Sequence, residues 1–421
     1  MSYHNKGTTW AFFLLASCFL WWGIANNLTD PLVRVFRDAF EMTTFQASLI
    51  QMAFYLGYFC MALPGAIIAQ RTSYKTGVLV GLGLYAAGCF LLYPASIAQE
   101  FVFFCLAYYV LASGLGILET NANPYVLTLG SPETATRRLN FAQAFNPIGA
   151  ITGVLLAKHL VMSNLPTSGS GELLISAGNL PSALATVVRP YLLIAVALTI
   201  VWVLILISRM PRAAASTSSV SLQSSMARLL RNKVYVFSVV AQFCYVGTQI
   251  SVWTYTNFYI PEVLNVSQSV ALTYHTWGLV AFASMRWVFA GLMRYVGAAE
   301  LLLVSCCMAI LATVLVIFAG GLVGVLALVA VSGFMSLMFP TIFGLGCANL
   351  GADTKLASSG QIMAIVGGAI ITPLQGAMLD LWGVRQSYWL PIICFTVIAI
   401  FAVLCRIRGQ TDESGRVSVG D

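Results

Sequence analysis

The chain has 421 residues, of which 59% are hydrophobic and only 8% are charged, whereas a typical globular protein has roughly 25% charged residues. So much apolar surface excludes a soluble enzyme, a nucleic-acid-binding protein and a disordered scaffold, because none of these keeps such a surface out of water. The composition predicts a membrane protein that crosses the bilayer several times.

Twelve apolar segments are long enough to span a bilayer as helices, which takes about 20 residues because each helical residue rises about 1.5 Å. The first segment is too long for the apolar core of a signal peptide and lacks a small-residue cleavage site, so we expect it to remain as a helix. The predicted spans cover residues 10–36, 45–70, 76–98, 101–129, 140–162, 190–208, 234–260, 270–294, 300–320, 322–347, 358–381 and 388–405.

The basic residues predict how these spans are oriented. If both termini lie in the cytoplasm, fifteen of the 21 Lys and Arg residues fall on the cytoplasmic side and five on the outer side, with Arg286 inside a span. Cytoplasmic loops carry the excess of basic residues in membrane proteins, which favours this orientation over the inverted one. The net charge of +7 is thereby explained without an acidic or nucleic-acid partner.

The longest cytoplasmic segment divides the spans into two sets of six. It contains the string AAASTSSVSLQSS, a composition typical of a flexible linker. We therefore predict an all-α membrane protein with twelve transmembrane helices in two pseudo-symmetric six-helix bundles. Residues 1–209 form the N-terminal bundle, residues 210–233 the cytoplasmic linker, and residues 234–421 the C-terminal bundle with a short tail.

A weak internal repeat relates the two bundles, and its copies differ in their polar residues. At an offset of 216 residues, Pro124 corresponds to Pro340 and Glu119 corresponds to Met335. The first copy therefore carries an ionisable side chain at a position where the second copy is apolar.

Two carboxylates, Asp30 and Glu119, fall inside predicted spans, whereas nearly all other acidic residues lie in loops, tails or helix ends. A carboxylate in the bilayer interior costs about 2.5–3.5 kcal/mol on insertion scales, so it normally faces a cavity and has a function. Burial favours the neutral carboxyl group, the property that proton coupling requires. The alternatives to a proton-coupling function are a position at the membrane interface for Asp30 and a structural hydrogen bond to a neighbouring helix for Glu119.

Amide and aromatic side chains accompany these acids. Asn27 is three residues from Asp30, and Gln143 is three residues from Asn146, so each pair shares a helix face. Amides offer the donors and acceptors that sugar hydroxyls need, and aromatic rings pack against the C–H face of a sugar. Further candidates from the first and seventh spans are Trp22, Tyr245, Gln249 and Trp253. Helix–helix hydrogen bonding and core packing explain the same side chains without a ligand.

Two arginines, Arg286 and Arg294, lie near the cytoplasmic end of the eighth span. We expect them to anchor this helix to lipid headgroups or to hold the two bundles together, rather than to bind substrate.

Eight strings in the chain resemble the fucose–proton symporter family of the major facilitator superfamily, and they occur in order along the spans. They are FQASLIQMAFYLGYF (45–59), SYKTG (73–77), GLGILETNANPYV (114–126), RLNFAQAFNPIGA (138–150), AQFCYVGTQ (241–249), FPTIFGLG (339–346), NLGADTK (349–355) and GGAIITPLQG (367–376). The resemblance implies a two-bundle fold and alternating access to a sugar.

The resemblance also implies roles for individual residues. Glu119 matches the family's protonation site and Asp30 its second essential carboxylate, while Asn27, Gln143 and Asn146 match its sugar-contacting amides. Related glucose, galactose and N-acetylglucosamine branches commonly have Gln at the position of Glu119, which favours the L-fucose permease branch.

Two residues depart from the family's pattern. Asn121 stands where Ala is usual, and Phe339 replaces a Tyr of the fucose permease, a loss of one hydroxyl that bears on sugar choice.

We therefore predict a proton-coupled symporter that imports L-fucose, or a close 6-deoxy or galactose-like sugar, across the cell inner membrane. We expect a monomer surrounded by lipid, with no cofactor, no metal and no nucleic acid. The alternative is a sodium-coupled or facilitative glucose, galactose or N-acetylglucosamine transporter of the same fold. An enzyme is disfavoured because the three His residues are scattered and no HExxH or GxSxG string lies in a span.

Overall fold

A computed structural model of the chain describes residues 6–42, 44–161, 164–165, 178–211, 222–266 and 268–417. These residues form helices joined by short turns, and no β-strand occurs among them. The helices are α1 (Lys6–Ala39), α2 (Thr44–Arg71), α3 (Tyr74–Ala98), α4 (Phe101–Thr128), α5 (Ala135–Gln143), α6 (Phe145–Leu156), α7 (Leu180–Ile207), α8 (Leu222–Arg231), α9 (Lys233–Leu264), α10 (Gln268–Leu292), α11 (Ala298–Phe318), α12 (Gly321–Met335), α13 (Met338–Gly346), α14 (Thr354–Met363), α15 (Gly367–Trp382) and α16 (Trp389–Val417).

Within the described ranges, eleven helical segments are long and apolar enough to cross a membrane. The remaining predicted span, residues 270–294, is also helical, as α10, but it carries polar residues that include His275 and Arg286. The predicted all-α membrane fold is confirmed.

Three predicted spans are each built from two consecutive helices. The fifth span is interrupted between α5 and α6, the tenth between α12 and α13, and the eleventh between α14 and α15. Pro147 and Pro340 follow the first two interruptions. A proline has no backbone N–H and its ring crowds the carbonyl four residues earlier, so a helix bends or breaks just before it. The two prolines mark these interruptions, although a proline alone does not end a helix, since α4 continues through Pro124.

Two predicted loop segments are more helical than the sequence suggested. The helix α7 begins at Leu180, ten residues before the predicted span, with a proline in its first turn, where the missing N–H costs nothing. The helix α8 lies within the predicted flexible linker, of which residues 212–221 fall outside the described part of the chain. Arg228 of α8 is paired with Asp353, at 2.6 Å between Nη2 and Oδ1.

The chain divides into two compact units, and the division cuts the fifth predicted span. The first unit contains residues 1–129 and 145–216, and the second contains residues 130–144 and 217–421. The helix α5 therefore groups with the second unit, although it is joined at both ends to segments of the first. The boundaries predicted from the sequence place residues 130–144 in the N-terminal bundle, so they differ from this division in that segment. The predicted bundle boundaries remain a prediction.

In the first unit, α4 packs against α2 and α3, α1 against α6, and α3 against α7. Glycines allow these helices to approach closely: a Cβ atom on Gly81 of α3 would lie 2.7 Å from the Cα of Leu118. Buried tyrosines add hydrogen bonds, as between the hydroxyls of Tyr108 and Tyr191 at 2.8 Å. This packing encloses the central part of α4.

In the second unit, α9 is the central helix and packs against α10, α12, α13, α15 and α16. The short helix α5 packs against α13 and α10. Asn140 of α5 donates to Thr341 Oγ1 at 3.1 Å, and the Phe141 ring meets the Trp287 ring edge-to-face at 5.2 Å between centroids. These contacts fix the position of the last turn of α5.

Candidate functional site

Glu119 is buried in the middle of α4, where every residue from 111 to 126 is buried. Its side chain is 3% exposed, and its two carboxyl oxygens accept no hydrogen bond of normal geometry from the described residues. The Asn123 amide, one helical turn further on, interacts with the carboxyl group. A buried carboxyl group with so few partners is stable chiefly in its neutral form, which suits a group that takes up a proton.

The phenol of Tyr58, on α2, lies within electrostatic range of this carboxyl group. Tyr58 is buried and close enough to Glu119 to interact with it, and its hydroxyl accepts a hydrogen bond from the indole nitrogen of Trp22. The approach of α2 to α4 depends on Gly116, because a Cβ atom there would lie 3.1 Å from the Tyr58 carbonyl oxygen. Trp22, Tyr58 and Glu119 thus link three helices of the first unit.

Sequence reasoning did not identify Tyr58 as a site residue. Its only signal was a phenol inside the apolar string FQASLIQMAFYLGYF, which also holds Tyr55. Choosing between the two tyrosines requires the helix packing.

The amides Asn27 and Asn146 lie on α1 and α6, two helices that pack tightly. Asn27 donates to the Gly23 carbonyl at 3.1 Å, and Asn146 donates across the helix pair to the Phe19 carbonyl at 3.4 Å. A Cβ atom on Gly153 would lie 2.6 Å from the Ile24 carbonyl oxygen, so glycine is needed for this approach. Both amides are only partly buried, which leaves part of each accessible to a ligand.

Asp30 lies on α1, three residues beyond Asn27, and its side chain falls outside the described part of the structure. Of the predicted candidates, the first unit therefore holds Trp22, Asn27, Glu119 and Asn146 with described side chains.

In the second unit, Tyr245, Gln249 and Trp253 follow one another at intervals of four residues on α9, so they lie on one side of this helix. The Tyr245 hydroxyl and the Trp253 indole nitrogen are buried and have no hydrogen-bond partner among the described residues. Unsatisfied buried donors are rare in native proteins. A ligand or water that accepts from them would remove this cost.

Aromatic rings surround these two donors. The Tyr245 ring meets the Phe339 ring edge-to-face at 6.2 Å, and the Trp253 ring meets the Phe282 ring at 5.1 Å. Trp253 also lines a small cleft together with His275 and other residues of α9, α10 and α12. Phe339 lies beside Tyr245. Because phenylalanine has no hydroxyl group, its ring offers the neighbouring Tyr245 phenol no polar partner.

Gln143 is the last residue of α5 and is 2% exposed. Its carbonyl oxygen accepts a hydrogen bond from Arg286 at 3.1 Å. Arg286 is 3% exposed, so the expectation that it anchors α10 to lipid headgroups is wrong: the guanidinium points into the protein, where backbone carbonyls solvate it. Arg294 is exposed.

Asn121, which departs from the family's pattern, has a structural position. Its amide nitrogen donates to the carbonyls of Ile117, at 2.7 Å, and of Gly65 on α2, at 3.2 Å. The side chain occupies the space over Gly77 of α3, where a Cβ atom would overlap it. The extra volume of Asn relative to Ala is therefore accommodated by glycine on a neighbouring helix.

Comparison with known proteins identifies the family. Residues 10–360 match the model of the Major Facilitator Superfamily. An L-fucose-proton symporter of Haemophilus influenzae is 40% identical over 407 residues, with 93% of this chain and 95% of that protein covered. An L-fucose-proton symporter of Escherichia coli is 39% identical, with 95% of this chain and 93% of that protein covered.

More distant relatives and solved structures agree. A glucose/galactose transporter of Brucella abortus is 32% identical, with 95% of each chain covered. The crystal structure of the transporter FucP in the outward conformation has a TM-score of 0.87 and 38% identity, and the match covers 94% of this chain and 98% of FucP. The predicted resemblance is confirmed: the chain belongs to the Major Facilitator Superfamily, in the family of the L-fucose–proton symporters, and is a transporter rather than an enzyme.

Proposed function

We propose that this protein imports L-fucose, or a close 6-deoxy or galactose-like sugar, together with a proton by alternating access. The observation that carries the proposal is the Glu119 carboxyl group, which is buried in α4 and accepts no hydrogen bond of normal geometry from the described residues. The relatives at about 40% identity over nearly the whole chain are L-fucose-proton symporters, which supports the same ions and sugar for this chain.

The proton couples to the sugar through the charge of Glu119. A proton taken up from outside neutralises the carboxyl group and removes the cost of holding a buried charge. The neutral carboxyl group can also donate a hydrogen bond, which a carboxylate cannot. Because linkage is reciprocal, a proton that raises the affinity for sugar is itself bound more tightly when sugar is present. Asp30 is the proposed second carboxylate in this coupling.

The amides and aromatic rings bind the sugar. Asn27 and Asn146 in the first unit and Gln143 in the second supply donors and acceptors for the hydroxyls. Trp22, Tyr245, Gln249 and Trp253 complete the proposed set, and the unsatisfied donors of Tyr245 and Trp253 are the part of it that most needs a ligand.

The protein is proposed to act as a monomer in the cell inner membrane, with both termini in the cytoplasm. The distribution of Lys and Arg along the sequence supports this orientation.

A competition assay tests the function directly. Uptake of labelled L-fucose into cells is measured against a panel of unlabelled sugars while the pH of a weakly buffered medium is recorded. We expect L-fucose to compete best and the medium to become alkaline as sugar enters. Competition by glucose alone would contradict the sugar assignment.

The coupling ion is tested by replacing external sodium with choline at fixed pH. Uptake by a proton symporter should not change. A loss of uptake would favour the sodium-coupled alternative, and sugar entry without alkalinisation or sodium dependence would favour a facilitative carrier.

A further inference from the structure

Two backbone carbonyls in the second unit lack the usual helical hydrogen bond, because the residue four positions later is a proline. In a helix the carbonyl of residue i accepts from the N–H of residue i+4. The residues four positions before Pro147 and Pro340 are Gln143 and Ser336, and neither proline has an N–H to give them. Gln143 ends α5, and Ser336 follows the end of α12.

Arg286 supplies a donor to each of these two carbonyls. Its Nε donates to the Ser336 carbonyl at 2.6 Å, and its Nη1 donates to the Gln143 carbonyl at 3.1 Å. The guanidinium also lies over the Phe282 ring, at 4.8 Å from the centroid. Among the described residues, no carboxylate forms an ion pair with it. A buried arginine is costly, and here two peptide carbonyls and an aromatic face solvate it.

Capping alone does not require a buried arginine. Arg385 in the second unit also donates to two carbonyls at a helix end, those of Ile317 and Phe318 at 2.9 and 2.8 Å, and it is only partly buried. Its acceptors end α11 and are distant in sequence from the candidate sugar residues. The acceptors of Arg286 are Gln143 itself and a residue three positions before Phe339.

We propose that Arg286 is a positioning residue for the sugar site: by bridging the Gln143 and Ser336 carbonyls, it holds Gln143 where its amide can bind sugar. This inference rests on the proposed sugar-binding role of Gln143. Proline leaves the end of α5 without its usual restraint, and Arg286 restores that restraint from α10. The fork of the guanidinium reaches both carbonyls at once, whereas a lysine ammonium is a single point and cannot replace both donors in the same geometry.

A double-mutant cycle tests whether Arg286 acts through Gln143. We expect Arg286→Lys to raise the KM for sugar about tenfold with a much smaller change in kcat, since a tenfold loss corresponds to about one to two hydrogen bonds. In the Gln143→Ala background, the same Arg286→Lys substitution should change the KM less than about twofold, because the amide it positions is absent. The ratio of KM values for L-fucose and D-galactose should move with Arg286→Lys only while Gln143 is present.

Arg385→Lys is the matched control, because it weakens a two-carbonyl cap in the same unit whose acceptors, Ile317 and Phe318, are not candidate sugar residues. We expect it to lower thermal stability and leave the KM unchanged. All variants are compared by size-exclusion chromatography and thermal unfolding in detergent. If Arg286→Lys does not fold, Arg286→Gln is used instead, because its planar amide group keeps two N–H donors.

The results separate this inference from the proposed function. The wild type is assayed first, and the cycle is run with whichever sugar it transports, so an incorrect sugar assignment leaves the cycle interpretable. Equal effects of Arg286→Lys with and without Gln143, or a KM that stays constant in a folded variant, would overturn the positioning role.

Discussion

Glu119 in the first unit and Arg286 in the second are both ionisable and almost completely buried, yet their surroundings differ. The Arg286 guanidinium donates to two carbonyls and lies over an aromatic ring. The Glu119 carboxyl group accepts no hydrogen bond of normal geometry from the described residues. Among the described residues, the Arg286 charge is well solvated, whereas a charge on Glu119 would have the Asn123 amide and little else to stabilise it.

The difference follows from what each group can do. A guanidinium keeps its charge in proteins, so burying it requires acceptors that are always present. A carboxyl group can become neutral by taking up a proton, so it can be buried with few partners. The poorly solvated group is therefore the one suited to transport a proton, and the well-solvated group is suited to hold structure.

The internal repeat shows the same contrast along the chain. The helix α4 continues through Pro124 and carries Glu119 at its centre. At the corresponding positions of the second unit, the helix α12 ends at Met335 and the next helix, α13, contains Pro340. The two copies thus share a proline but use it differently: the first keeps a continuous helix around an acid, and the second opens a carbonyl for Arg286.

The largest expected effect comes from removing the proposed proton site, Glu119. We expect Glu119→Gln to abolish sugar accumulation driven by a pH gradient in proteoliposomes while retaining exchange of labelled for unlabelled sugar, because Gln mimics a permanently neutral carboxyl group. Exchange by the variant should also be insensitive to external pH, whereas uptake by the wild type should fall as the external pH rises.

Glu262→Gln is the control, since Glu262 is an exposed acid near the end of α9. It should accumulate sugar like the wild type. Undiminished accumulation by Glu119→Gln would remove Glu119 from the coupling mechanism.

A smaller effect is expected from Tyr58→Phe, which removes the phenol hydroxyl. This hydroxyl accepts from Trp22 and lies within electrostatic range of Glu119; we expect its polar O–H group to favour the charged carboxylate, so its loss should disfavour the charged form. We expect the external pH at which uptake is half-maximal to rise, with about a fivefold change in transport at fixed pH, the effect of roughly one hydrogen bond. Tyr93→Phe, at an exposed tyrosine, is the control; an identical pH profile for Tyr58→Phe would place the phenol outside the coupling.

Asn121→Ala is expected to affect stability but not sugar choice. It removes hydrogen bonds to two carbonyls and opens space over Gly77, so we expect a loss of about 1–2 kcal/mol in unfolding free energy. Gly77→Ala alone should be strongly destabilising because its Cβ overlaps the Asn121 side chain, and it should be tolerated in the Asn121→Ala background. A changed order of competing sugars in Asn121→Ala would instead give this residue a role in specificity.

The smallest effect is expected at the exposed ion pair of α8. The Arg228 side chain is 50% exposed, so its pair with Asp353 is screened by water. We expect Arg228→Ala to lower the melting temperature only slightly, and added salt to reduce the difference further. Arg286→Lys should lower the stability more than Arg228→Ala in the same thermal assay. A smaller loss for Arg286→Lys would contradict the conclusion that the hydrogen bonds of the buried arginine stabilise the protein more than the exposed ion pair does.

Much of the site could be predicted because its residue types are costly in a membrane. Carboxylates are rare inside apolar spans, so Glu119 stood out from composition alone, and the family strings assigned it a role. Tyr58 carried no such signal, because an aromatic residue in an apolar span is ordinary packing until its neighbours are known. Arg286 was visible as an intramembrane arginine, but its direction was not, because a long side chain reaches either headgroups or the interior.

The sequence by itself determined that this is an all-α membrane transporter and predicted Glu119 as its proton-binding acid, since hydropathy, basic-residue bias and local strings depend only on residue order. It also contains Pro147 and Pro340, each of which leaves one carbonyl without its helical donor, although a proline alone does not end a helix, since α4 continues through Pro124. Only the tertiary structure decided what replaces that donor. The two carbonyls are far apart from each other and from Arg286 in the sequence. Only folding places both of them within hydrogen-bond reach of one guanidinium.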